Sequence, residues 1–527
     1  MQSRGVRGAD ITPAATGVGV LQVLDEERLS RRHWVTVFTA GMGFFTDAYD
    51  LFIIGTVTAV LTPIWHLTTS QLAVLNSISL LASVVGALVF GKLMDLVGRK
   101  TMYGLEVTLL TLGAVLSAFS WSFTSLLVFR ILVGAGVGGD YATSAVITSE
   151  YANRKDRGRL VGTVFAMQGI GLLAGPIIAS ILLGTGVGHG LAWRLMLGIG
   201  ALPAASVIYL RRKISETPRY ALLAGHPEES GADPVAGDPK ESIVVPLPGR
   251  SGAGAAGRVA GGPDPAERQT GVPRRPRLTR SPFLLRLVGT AGCWFLLDAA
   301  FYGNAVSSPL ILRALQPKGS LLSHTLISGG IFLVFALPGY WIAAALMDRL
   351  GRKRIQWQGF LVMAAAFGAI AAIPGAATST WPFLALFGVS YFFTEFGPNM
   401  TTFVFPSEVF PTAVRGTGDG ISAAAGKLGA FTGALLVPHL LISFGLSGVM
   451  GTMAVVAGAG LVLTLLALPE PRGLSLEEAS GDAGRSGVTV TVAPDRSRDP
   501  GEADLGAPGP TPDGPADDLP LATGTGQ

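Results

Sequence analysis

Long apolar runs alternate with short polar loops along most of the chain, and this alternation predicts its elements. The runs cover about 33–61, 71–93, 101–120, 124–149, 159–184 and 191–210, then 282–312, 322–347, 355–374, 382–406, 416–443 and 447–468. Each is near the ~20 residues that an α-helix needs to cross ~30 Å of hydrocarbon. The pattern predicts an all-α integral membrane fold of twelve spans, split into 33–210 and 282–469. Between the sets, residues 211–281 are rich in Gly, Pro, Arg and acids without helical period, and are expected to be a mobile hydrophilic linker. Similar composition at 1–32 and 470–527 predicts disordered tails, and the polar start gives no sign of a cleaved leader.

The second set of runs repeats the first. Asp-Leu-Val-Gly-Arg-Lys at 95–100 returns as Asp-Arg-Leu-Gly-Arg-Lys at 348–353, after the second run of each set. Ser149, Glu150, Arg157 and Gly158 return as Ser407, Glu408, Arg415 and Gly416, after the fourth. Related phrases at 215–219 and 469–473 close the two sets. Two homologous six-helix halves around a central cavity are the natural expectation.

Composition agrees: 49% hydrophobic and 14% charged residues are far from a soluble balance. The basic residues that give a net charge of +4 cluster at the ends of apolar runs, which argues against a nucleic-acid partner. Lys92, Arg99 and Lys100, then Arg154 to Arg159, Arg349 to Arg354 and Arg415 lie on one side. The opposite loops near 62–70, 118–125, 374–381 and 442–447 have no Lys or Arg. Both tails and the linker are therefore expected in the cytoplasm of a multi-pass protein of the cell membrane. One cysteine, Cys293, excludes an internal disulfide and a cysteine-cluster metal site, and no cofactor is expected.

A few polar groups interrupt the apolar runs. Trp294, Asp298 and Tyr302 stand four residues apart and share one helical face over roughly 12 Å. A carboxylate is expensive in hydrocarbon, so Asp298 should face a wet cavity or a basic partner. Asp47 and Asp50 lie three apart, and two carboxylates in one cavity would repel until one takes a proton. Gly134, Gly136 and Gly138 allow close helix approach ahead of Asp140 and Tyr141. Arg130, Gln168, Asn399 beside the kink-forming Pro398, and Lys427 complete the set. Lys427 requires a counter-charge, either a carboxylate or an anion.

The loop Gly-x-x-x-Asp-x-x-Gly-Arg-Lys from Gly91 resembles the commonest signature of the major facilitator superfamily, and the repeat covers most of residues 33–478. In such a fold Asp95 would pair with arginines at helix ends. Asp95, Arg99, Glu150, Arg157 and their repeats Asp348, Arg352, Glu408 and Arg415 are the candidate gate. Five phrases further resemble the phosphate:proton symporter branch: those around Asp47 and Asp50, Asp140 and Tyr141, Trp294 to Tyr302, Asn399, and Lys427. The resemblance implies phosphate contacts at Tyr141, Gln168, Trp294, Asp298, Tyr302 and Asn399, and proton coupling at Asp47 and Asp140, with Asp50 beside them. Lys427 and Arg130 would balance charge. Ala142, Thr143 and Ser144 stand where Pro-Leu-Ser is usual, and Asp419 where histidine is usual. The expectation is a monomeric carrier that imports inorganic phosphate with protons by alternating access and without covalent chemistry. A proton symporter of another small anion or a sugar, and a non-transporting phosphate receptor, are the alternatives.

Overall fold

The computed structural model describes residues 21, 24–212, 214–224, 277–279, 281–318 and 321–482. The expectations for residues 1–20, 225–276 and 483–527 lie outside them. The first half is six helices: α1 (Arg31–Trp65), α2 (Thr69–Val97), α3 (Arg99–Ala118), α4 (Phe123–Tyr151), α5 (Arg157–Gly184) and α6 (His189–Arg212). A short α7 (Pro218–Ala224) follows. Their ends are written in the sequence. Thr68 accepts the Gln71 N–H at 3.3 Å while Gln71 accepts the Thr68 N–H at 3.0 Å, a reciprocal cap that starts α2. Gly98 separates α2 from α3 at φ +109°, and its repeat Gly351 stands at φ +97°. Only glycine takes that backbone readily, which is why the repeated loop carries it.

The second half opens with α8 (Phe283–Val306) and a short α9 (Ser308–Leu315). The next path is α10 (Leu321–Ile331), a π turn at Phe332–Ala336 and α11 (Leu337–Leu350). Then come α12 (Arg352–Ala372) and α13 (Thr380–Thr394), with a second π turn at Glu395–Asn399 leading into α14 (Met400–Val409). The long α15 (Arg415–Ala467) breaks at Gly445, where φ is +65°, so it is two arms. Among the described residues ten helices are long and apolar enough to cross a membrane, α15 counting as one. The expected twelve are reached when its arms are separated and the interrupted Thr380–Val409 path is included.

The halves meet along two equivalent seams, α2 against α15 and α5 against α11. At the first seam a Cβ on Gly91 would stand 2.6 Å from the Gly416 carbonyl oxygen and 2.7 Å from Gly420 Cα. No side chain fits there without parting the halves.

Three boundaries differ from expectation, the first being the tail expected to be disordered to 32, of which 24–32 are ordered. The tail expected to be disordered from 470 is ordered to Asp482, with α16 (Leu476–Ser480) capped by Ser475. The linker expected from 211 begins with the ordered stretch 214–224. The cause is electrostatic: Glu470 accepts the N–H groups of Arg352 and Lys353 at 3.0 Å each, and Glu216 accepts that of Lys100 at 3.3 Å. Each polar phrase folds back to cap the third helix of its own half. Residues 24–30 belong to the same layer, since Arg219 pairs with Asp25 at 2.6 Å.

Gly91→Leu should wedge the α2–α15 seam at about 1–3 kcal/mol, the usual cost of overpacking. Hydrogen–deuterium exchange at residues 416–420 should rise, and Gly91→Ala should have a smaller effect. Unchanged exchange in both would place the seam elsewhere.

Candidate functional site

At mid-depth, where the halves face each other, one connected polar set lies 3% exposed or less. Tyr141 Oη of α4 donates to Gln168 Oε1 of α5 at 3.0 Å, and Gln168 Nε2 reaches Tyr340 Oη of α11 at 3.5 Å. Asn399 Nδ2 donates to the same Tyr340 oxygen at 2.9 Å and also to Glu395 Oε2. Lys427 Nζ joins this chain to α8: it is 3.3 Å from Tyr302 Oη, 3.7 Å from Asp298 Oδ2 and 3.6 Å from the centre of the Tyr141 ring. Trp294 lies against Gly426 of α15 so tightly that any Cβ there would strike its indole. Its ring centre is 6.2 Å from that of Tyr141. The three residues expected on one face of α8 do converge.

The Lys427–Asp298 contact is loose, and Asp298 Oδ2 has no hydrogen-bond partner. A buried carboxylate oxygen left so is a place held for a donor. Phe44, Phe165 and Phe403 cluster beneath the set, with centroid distances of 4.6 to 5.4 Å, and separate it from the basic-loop face. Phe52 covers Tyr302 at 5.9 Å.

A second charged network lies inside the first half. Arg211 of α6 reaches back to grip both Asp140 oxygens at 2.8 and 2.9 Å and Glu106 at 2.9 Å, with Ser144 on Asp140 at 2.5 Å. Asp47 and Asp50 do not form the shared pair that their spacing suggests. Asp50 is held by Arg130 at 3.2 Å, whereas neither Asp47 oxygen has a hydrogen-bond partner. Asp47 feels the charges of Asp140 and Arg211 and also that of Lys427, so it is electrostatically linked to both networks.

The repeated acids and arginines meet at the basic-loop face. Asp95 accepts from Gly416 N at 3.1 Å, Thr417 N at 2.7 Å and Thr417 Oγ1 at 2.8 Å. Asp348 accepts from Gly158 N at 2.9 Å and Arg159 N at 2.7 Å. Each therefore caps a helix of the opposite half, where backbone N–H groups and the helix dipole favour an anion. Arginines were expected as the partners of Asp95, and Arg99 does pair with it at 3.4 Å, in addition to the helix cap. Glu150 gathers Arg415 at 2.8 Å and Arg99 at 3.2 Å, and Glu408 gathers Arg352 at 2.8 Å and Arg157 at 2.9 Å. This face is closed. In the outer layer burial pushes the Glu477 carboxyl up, but Arg219, with Arg415 and a backbone hydrogen bond, outweighs it and holds the group below its usual value. Its stabilisation is thus present above the unfolded value and is lost as pH falls.

Several of these residues escape a reading of the sequence. Arg211 reads as a basic residue at a span end, and Glu106, Tyr340 and Glu395 as isolated polar residues; only the intrusion of an acid into an apolar run marks the two glutamates. Of the two departures from the resembling family, Ala142 packs with Phe90 and Met94, away from the central set. Asp419 is buried, with both oxygens lacking hydrogen-bond partners, and feels Asp95 and Arg415, so it belongs to the gate.

Two facing helical halves around a sealed polar centre, with a charged gate at one face, define a membrane carrier. The sequence profile described as Major Facilitator Superfamily matches residues 35–418. Relatives include Inorganic phosphate transporter 1-6 of Oryza sativa subsp. japonica, 36% identical, with 88% of this chain and 95% of that protein covered. Inorganic phosphate transporter 1-1 of Arabidopsis thaliana is 35% identical, with 88% and 98% covered. The chain belongs to the major facilitator superfamily and, within it, to the family of inorganic phosphate transporters. Among solved structures, the proton:xylose symporter XylE bound to 6-bromo-6-deoxy-D-glucose aligns with a TM-score of 0.69 at 19% identity, over 85% of this chain and 98% of that one. A partially occluded inward-open conformation of XylE from E. coli aligns at 0.60 and 18% identity, over 84% and 99%. These likenesses are of fold.

Arg211→Ala should strand Asp140 and Glu106 without a cation and cost about 3–5 kcal/mol, as for a broken buried pair. Thermal unfolding of the purified protein checks this. Asp140→Asn in the same chain should recover part of the loss; no recovery would mean that Arg211 acts by packing alone.

Proposed function

We propose that the protein imports inorganic phosphate together with protons, exposing the central set alternately to the two sides of the cell membrane. The observation that carries this reading is the Asp298 oxygen that has no hydrogen-bond partner and only a loose 3.7 Å ion pair with Lys427, ringed by Tyr141, Gln168, Trp294, Tyr302 and Asn399. It lies in a chain whose relatives are named inorganic phosphate transporters. Hydrogen phosphate differs from sulfate at neutral pH in bearing a proton. Asp298 accepts that P–OH, while Lys427 supplies the positive charge and the other groups donate to the remaining oxygens. No bond is made or broken; the working unit is one chain, and the protein is not an enzyme.

Protons enter through Asp47, with Asp140 and Asp50 as neighbouring acids whose charges Arg211 and Arg130 balance. A proton on Asp47 removes a negative charge close to the anion and raises phosphate affinity, and bound phosphate raises proton affinity by the same factor. The basic-loop face lies in the cytoplasm with both termini, following the positive-inside rule. Closure there is carried by Asp95, Arg99, Glu150 and Arg157 with Asp348, Arg352, Glu408 and Arg415. The inward-facing state must break these contacts, and its energy comes from binding phosphate and protons together.

In liposomes the protein should accumulate phosphate when the outside is acid, and a protonophore should abolish accumulation. Uptake indifferent to the protonophore would replace symport by exchange.

Asp298→Asn keeps the size of the side chain but loses the charge and adds two donors. The loss of a charge-assisted hydrogen bond should cost about 1.5–3 kcal/mol, roughly ten- to two-hundred-fold in phosphate affinity. Sulfate binding should fall far less. Equal losses for both anions would assign Asp298 to architecture rather than to recognition.

A further inference from the structure

The π turn at Glu395–Asn399 places a carboxyl in the second half that the phosphate site described above does not use. Glu395 is 0% exposed. One oxygen, Oε2, accepts from Asn399, and the other, Oε1, has no hydrogen-bond partner. Among the described residues no Lys, Arg or His forms an ion pair with it, in contrast to Asp50, Asp140, Glu150, Asp298 and Glu408.

The groups facing Glu395 are few. α8 brings Asp298 and Tyr302, α11 brings Tyr340, and Tyr391 precedes it on α13. Where α12 crosses the turn it presents Gly359 against Gly397 and Pro398. The one charge acting on Glu395 from all of these is that of Asp298, another acid. A buried carboxylate without a cation is tolerated only while donors hold it.

Asn399 and Tyr340 are the groups that hold Glu395, and of these Asn399 is shared with the anion site. Asn399 has two amide hydrogens, and both are engaged: its Nδ2 donates to Tyr340 Oη and to Glu395 Oε2. An anion oxygen that takes a hydrogen bond from Asn399 competes for one of them, and it brings negative charge beside a carboxylate that has no counter-ion. Both effects act in the same direction, toward a neutral Glu395. We propose that Glu395 is a proton-carrying residue of the second half, taking up a proton as phosphate engages Asn399 and returning it as phosphate leaves. The transported unit then includes a proton lodged across the site from Asp47. This rests on the reading that Asn399 contacts phosphate. Linkage makes the coupling reciprocal, so acidification tightens phosphate binding through Glu395.

The test uses purified full-length protein titrated with inorganic phosphate at several pH values, with proton uptake followed by a pH-sensitive dye. Wild type should take up about one more proton per bound phosphate than Glu395→Gln, and its log Kd should change by about one unit more per pH unit, a further tenfold in Kd. The titration of phosphate itself is common to both proteins and cancels in the difference. Glu395→Asp retains a titrating group and should keep the wild-type slope. Equal slopes and equal proton uptake in wild type and Glu395→Gln would overturn the proposal while leaving the phosphate site standing. A wild type that binds no phosphate would take down both readings. Should Glu395→Gln fail to fold, the infrared difference spectrum of wild type with and without phosphate decides. A gained band of protonated carboxyl that moves in Glu395→Asp supports the proposal, and the absence of any gained carboxyl band overturns it.

Discussion

The architecture depends on what an ionised group demands once it is removed from water. Two carboxylates, Asp95 and Asp348, leave their own half and settle on the helix N-termini of the other, where unpaired N–H groups wait. Around them every arginine of the gate has an acid within 3.4 Å. Charges so held are satisfied only while the halves are together, so the same contacts that make the face stable also make it two-state. The close glycine seam at Gly91 adds a steric condition: the gate charges reach each other because the backbones come that near.

The interior follows the opposite rule. Its charges are held loosely or not at all: Lys427 stands 3.7 Å from Asp298, and Asp47 has no hydrogen bond. A tightly paired site would have no reason to accept an anion or a proton, since binding would first have to break what exists. Asp50 and Asp140, gripped by Arg130 and Arg211, are intermediate cases, and they sit within the first half rather than between the halves. Apart from Asp419, whose oxygens lack hydrogen bonds, pairing slackens from the gate to the centre, and this is what allows events at the centre to decide the state of the gate.

Much of this was legible in the chain. Run lengths gave the spans, the repeat gave the two halves, and the four-residue spacing of Trp294, Asp298 and Tyr302 placed them together. Spacing failed where long side chains decide the partner. Asp47 and Asp50 lie on neighbouring positions of α1, yet Arg130 takes one and leaves the other. Arg211 stands at the end of its helix but folds back to Asp140, a contact between residues 71 positions apart that no local pattern records. The phrases at 215–219 and 469–473 were visible as a repeat, but their purpose was not, because a cap is recognised by the backbone it touches. Composition misread the start of the linker and of the last tail for the same reason: Glu216 and Glu470 order polar stretches that have little apolar surface to bury.

Two of the hydrogen bonds that Asp95 accepts come from main-chain N–H groups, and for these there is no side chain that selection could exchange. A reversal of Glu150 and Arg415 can in principle be compensated by swapping their charges, since both members of the pair are encoded residues. The loss of Asp95 has no such remedy, as Gly416 and Thr417 present the same two N–H groups whatever residues stand there. For that part of its role the signature acid has no encoded counterpart to co-vary with it, and second-site suppressors of its loss should arise mainly in contacts that steady the same face.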